Sequence, residues 1–193
     1  MDNEAVINII KGRLSLRRFE HSIQVADTAR QMAHRFGADP AKAYFAGLVH
    51  DYGKGISGAE LLRIAGENGF IEDDVERKSP DLLHAPVGAF LLLRDLGIKD
   101  DEVLDAVRYH TLGRIHMSVM DKIIYLADMI EPGRDFPGIE RLRCIAERDL
   151  DQAMIVGIDS TLRHCVERGM LIHPRTIMAR NWLLASLPEG LRL

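Results

Sequence analysis

Six side chains able to bind metal recur at positions where a helical chain buries apolar groups: His21, His50, Asp51, His84, His110 and Asp128. The segment AGLVHDYGKG (46–55) is typical, because it ends an apolar run on an imidazole and a carboxylate. Burying one polar group without a partner costs on the order of 2–7 kcal/mol. Six such groups on separate helices therefore point to mutual satisfaction through a shared cation. Four imidazoles with two carboxylates suit Fe, Mn, Co, Ni or Zn better than Ca or Mg, which prefer all-oxygen shells. They also exceed what one catalytic ion needs while it keeps an open position. Two ions about 3.5–4 Å apart, bridged by Asp51 and a hydroxide, use all six and are suited to activating a water against a phosphoryl group.

The elements that must carry these residues are helical. Apolar spacing predicts helices over residues 3–14, 16–36, 40–51, 58–68, 81–96, 101–110, 117–130, 139–146, 149–168 and 174–187. No segment shows the sustained alternation of a strand. Asp39-Pro40 caps and opens the third helix, which is apolar almost all round and belongs in the middle of a bundle. Gly37, Gly69, Gly97 and Gly169 stand where helices stop. EPGRDFPG (131–138) is the clearest long loop. With 193 residues, no internal repeat and no linker, the chain is expected to be an all-α, single-domain helical bundle. Its core is expected over about 17–132, with C-terminal helices 139–187 packed on it.

Composition narrows the function classes. A net charge of −4 without a basic stripe argues against nucleic acid as a partner. The longest apolar stretch, VGAFLLL, is far short of a membrane span, and the N-terminus lacks the apolar core of a secretory leader. The expectation is a cytoplasmic protein. Cys144 and Cys165 fit no zinc spacing and read as buried free thiols. His34, His116 and His164 read as solvated, and Trp182 as core.

The order H…HD…D, here His21, His50-Asp51 and Asp128, resembles the HD-domain metal-dependent phosphohydrolases, and His84 with His110 resembles their dinuclear subset. LLHAPVGA (82–89), RYHTLGRIHMSVMDKIIYLADMIEPGRDFPG (108–138) and GMLIHPRTIMARN (169–181) are similar to the YqeK family, over roughly residues 15 to 185. That resemblance implies symmetrical cleavage of diadenosine tetraphosphate into two ADP, by a bridging metal-bound hydroxide attacking an inner phosphate. It also implies iron in the centre, a dinucleoside polyphosphate as small-molecule partner, and allows a homodimer. Two positions depart from the family pattern: Gly53, where alanine is usual, and Ile115-His116, in place of proline-asparagine.

Roles around the six ligands follow. Asp51 acts in catalysis as the bridge. Lys54 is placed to neutralise charge building on phosphate. Thr111, Gly113 and Arg114, directly after His110, are expected to bind phosphate by hydroxyl, backbone and guanidinium. Arg134 is expected to be a phosphate clamp, with Asp135 beside it. The resemblance puts Leu171, Ile172 and His173 near the adenosine, although His173-Pro174 also reads as a helix cap followed by a first-turn proline. Two alternatives stay open: a nucleotidase acting on mononucleotides or dNTPs, and a nucleotide-binding regulatory module with a degenerate site.

Overall fold

Ser15 opens the longest helix by accepting a hydrogen bond from the Arg18 amide, and Gly37 closes it in the left-handed conformation, at φ 74°. The same grammar recurs along the chain in this computed structural model, which describes residues 3–187. In order the helices are α1 (Asn3–Arg13), α2 (Leu16–Phe36), α3 (Pro40–Val49), α4 (Gly58–Glu67) and α5 (Asp74–Lys78). After one 3₁₀ turn (Pro80–Leu83) come α6 (His84–Leu96), α7 (Asp101–Tyr109), α8 (Val119–Ile130), α9 (Ile139–Ala146), α10 (Leu150–Glu167) and α11 (Pro174–Ser186). There is no strand among the described residues, as the periodicity predicts. Nor is any helix among them long and apolar enough to cross a membrane.

Helix α3 lies deep between α2, α7 and α8, with Ala43, Ala46, Leu48 and Val49 fully buried. Its closeness to α2 depends on Gly47, where a Cβ would stand 2.8 Å from Ala26 Cα. One apolar cluster joins α2 and α3 to α7–α11 through residues such as Val25, Ile123, Leu142 and Ile155. A second joins α1, α3, α4, α6 and α7 through Ile10, Leu48, Leu61, Val87 and Val107. Each fully buried Leu or Ile contributes roughly 1.5–3 kcal/mol, so both walls of the region holding the ligand-type residues are strongly anchored.

Two expectations are corrected, and one short helix is added. The stretch 81–96 is not one helix: it breaks at Leu83-His84. A continuous helix would drive the Pro86 ring into the carbonyl four residues back; the break leaves Pro86 in the first turn of α6. The single turn α5 is too short for periodicity to reveal, and its signal is the capping box of Asp73 and Glu76. The thiols are not buried: Cys144 is exposed and Cys165 half-buried, both free. Helix α9 buries Ile139, Leu142 and Ala146, spaced along one face, and Cys144 falls on the other.

Candidate metal centre

The six predicted ligands come together. His21 is in the body of α2, His50 ends α3 with Asp51 in the following turn, His84 begins α6, His110 ends α7, and Asp128 lies in the last turn of α8. His50, Asp51, His84 and His110 are buried.

Their imidazoles are held in one orientation by one device. Nδ1 of His50 donates to the Gly47 carbonyl at 2.7 Å, that of His84 to Asp81 at 2.5 Å, and that of His110 to Val107 at 2.7 Å. Each acceptor is three residues back, so a histidine at a helix end or turn satisfies a local carbonyl and turns its other nitrogen inward. With the proton on Nδ1, Nε2 carries a bare lone pair, the tautomer a metal requires. His21 lacks such a carbonyl, and there Glu131 Oε1 stands 3.1 Å from Nδ1.

The inward nitrogens are left without sufficient protein partners. His50 Nε2 is buried with no hydrogen-bond partner, a state costing about 1–3 kcal/mol. The Nε2 atoms of His84 and His110 face each other at 3.0 Å. Two lone pairs at that distance repel unless a positive charge lies beside them. A proton is disfavoured, because burial and neighbouring cationic groups push both imidazoles below their ordinary pKa. A metal ion meets the same need without protonation. Donors about 2.0–2.2 Å from one ion are about 3–3.5 Å from each other. Here His21 Nε2 is 3.0 Å from Asp128 Oδ1, and Asp51 Oδ1 is 3.4 Å from His84 Nε2, 3.7 Å from His50 Nε2 and 3.8 Å from His110 Nε2. Three overlapping trios fall within ligating reach: His21–His50–Asp51, His50–His110–Asp128 and Asp51–His84–His110. The residues fit a metal site.

The carboxylates stay ionised. Burial raises the Asp51 pKa, but the imidazoles of His50, His110 and His84 more than reverse this and bring it to about 2. Asp128 also lies well below the usual carboxylate range, since His21, His50 and Arg134 outweigh its burial. Burial alone would lower the His21 imidazole; its bond to Asp128 overcomes this and raises it.

Two supporting residues escape a search for ligands. Arg18 Nη1 donates to Asp51 Oδ2 at 2.9 Å, leaving Oδ1 to the cluster. Glu131, 3% exposed, touches His21 through one oxygen and the Gly133 amide through the other. Both carried a signal in the sequence: Arg18 precedes His21 by three residues and Glu131 follows Asp128 by three, spacings that share a helix face.

The expected phosphate and nucleoside residues divide. Lys54 Nζ lies 2.6 Å from Asp81 Oδ2 at the border of the cluster. Thr111 Oγ1 is 3.3 Å from His84 Nε2. Arg134 stacks its donors on the Asp128 carbonyl and carboxylate. With His21, Arg17, Arg18 and Gln24 it lines a polar cavity of about 540 Å³. Arg114, in contrast, is committed elsewhere: Asp121 and Asp105 take its donors at 2.8–3.0 Å, and its guanidinium lies 4.4 Å over the Tyr109 ring. Gly113, at φ +69°, makes a turn that brings Ala179 close. His173 is buried, caps α11 by accepting from the Arg175 amide, and faces Glu76 Oε1 at 3.4 Å. It borders a second cavity, about 410 Å³, with Tyr109, Ile115, Arg175 and Met178; Leu171 and Ile172 are not part of that lining.

Comparison with known proteins agrees with this geometry. The HD domain model matches residues 18–133. The chain is 40% identical over 186 residues to "Bis(5'-nucleosyl)-tetraphosphatase, symmetrical" of Bacillus subtilis (strain 168), covering 96% of this chain and all (100%) of the relative. It is 38% identical to the protein of the same name from Halalkalibacterium halodurans, covering 95% and 98%. A crystal structure of a predicted HD superfamily hydrolase involved in NAD metabolism from Clostridium acetobutylicum superposes with a TM-score of 0.93 at 37% identity, covering 97% of this chain and 99% of that one. The chain belongs to the HD domain family, and within it to the YqeK-type group that its motifs resemble.

Proposed function

We propose that the chain is a metal-dependent hydrolase that splits diadenosine tetraphosphate symmetrically into two ADP. The observation that carries this is the convergence of four imidazole Nε2 atoms on the ionised carboxylates of Asp51 and Asp128. The names of its full-length relatives supply the substrate class. In this proposal His21, His50, Asp51, His84, His110 and Asp128 would together hold a two-ion centre. Iron suits the donor set, as do Mn, Co, Ni and Zn. When bound, such ions supply Lewis-acid charge and a water of lowered pKa.

The chain's own residues do the positioning. Arg18 fixes one Asp51 oxygen so that the other faces the reacting centre. Lys54 exchanges Asp81 for a phosphate oxygen, and Arg134 turns from Asp128 toward the polyphosphate, each meeting charge as it builds. The Thr111 hydroxyl donates to a phosphate held beside His84. The polar cavity walled by Arg17, Arg18 and Arg134 receives phosphates, and the cavity by Tyr109 and His173 receives one adenosine. Arg114 also lines that cavity and, held by Asp105 and Asp121, supports its wall beside Tyr109.

Incubating metal-loaded protein with diadenosine tetraphosphate and separating the products tests this. ADP as the sole nucleotide product is expected. ATP with AMP, or no cleavage, would overturn it.

A further inference from the structure

A third cavity, of about 660 Å³, lies between α10 and the loop that follows α8. Met129, Phe136 and Pro137 give it an apolar side; Thr161, Arg163 and His164 give it polar groups. Arg134 lines both this cavity and the polar one that reaches His21. The two differ in chemistry. The polar cavity holds Arg17, Arg18 and Arg134 against two carboxylates, Glu20 and Glu131, and no Phe, Tyr or Trp, a net-cationic lining for phosphates. The third offers an aromatic ring, a thioether and hydroxyls, a lining for a flat base and a ribose.

A dinucleoside polyphosphate carries a nucleoside at each end. The cavity by Tyr109 and His173 accounts for one end only. The other end must leave the metal centre in another direction, and Arg134 is where the phosphate-lined space adjoins an apolar one. Two cations, Arg134 and Arg163, against the single carboxylate of Glu167 also favour an anionic ligand. We propose that this third cavity is the subsite for the second nucleoside, with Phe136 contacting its base and Arg134 holding the phosphates that enter it. This rests on the function proposed above.

Equilibrium dialysis of the metal-loaded protein with ADP, together with hydrolysis of diadenosine tetraphosphate, provides the test. The wild-type chain is expected to bind two ADP. Phe136→Ala and, on the exposed side of the cavity, Arg163→Ala are expected to bind one. Both should lose roughly tenfold in kcat/KM, through KM, as loss of a base-stacking or phosphate-end contact would give. Arg163→Ala keeps the test open should Phe136→Ala fold poorly. One ADP per wild-type chain, or an unchanged KM in a folded variant, would overturn the subsite. A wild-type protein that binds ADP but leaves the dinucleotide intact would instead overturn the function on which the subsite rests.

Discussion

Glu131 Oε1 lies 3.1 Å from His21 Nδ1, and among the described residues it is the one buried carboxylate that orients an imidazole of the centre from behind. The other three histidines use backbone carbonyls for the same purpose, so side-chain substitution can release only the His21 ring. Partners of this kind typically change metal affinity by about 10–100-fold. Glu131→Ala is therefore expected to weaken metal binding within that range, measured by competition with a chelator. Glu131→Gln, which can still accept from Nδ1, should recover most of it. Equal affinity in all three proteins would contradict the role.

Stability of the metal-free protein should fall in mild acid. His84 and His110 have depressed pKa values in the folded chain, so below the ordinary imidazole value of 6.5 the unfolded chain takes up protons that the fold refuses. Stability is then lost as pH falls, by up to about 1.4 kcal/mol per unit for each group. His21, raised when folded, acts oppositely: its contribution is present below 6.5 and lost above. Two groups outweigh one. Denaturant titrations of chelator-treated protein between pH 7 and 5 should show the midpoint decreasing, and His84→Gln should flatten the slope. A midpoint that rises toward pH 5 would contradict this.

Arg114→Ala is expected to damage folding more than chemistry. It leaves Asp121, 1% exposed, without its guanidinium partner. Breaking a buried pair from one side costs about 3 kcal/mol or more. Thermal melts should register that loss, while KM in the folded variant stays near the wild-type value. A KM increase with unchanged stability would restore Arg114 to phosphate binding.

Gly53→Ala should disturb the centre through packing. A Cβ there would overlap the His84 carbonyl oxygen and stand 3.0 Å from the Gly88 amide nitrogen. That contact brings the turn bearing Asp51 against the start of α6. Forcing a methyl into it costs about 1–3 kcal/mol, and His84 must move back with its backbone. Lower stability together with reduced metal content is expected; a protein equal to wild type in both would show that the segment yields freely.

Much of this was legible in the residue order, for identifiable reasons. Helix limits at Gly37 and Asp39-Pro40 follow from capping chemistry local to a few residues. The ligand cluster was legible because a buried imidazole is costly and six costly groups recur. What stayed hidden depends on contacts distant in sequence. Arg114 sits beside His110 like a phosphate ligand, and only folding shows Asp105 and Asp121 claiming it. The carboxylate facing His173 belongs to Glu76, nearly a hundred residues earlier.

The central claim is that the six side chains hold two ions with Asp51 between them. Anomalous diffraction from crystals of the protein grown with Fe, Mn, Co, Ni or Zn measures it directly. Two peaks inside the cluster, each within bonding distance of Asp51, are the expected result. A single peak, or none with every metal tried while His50 Nε2 stays unpartnered, would contradict it.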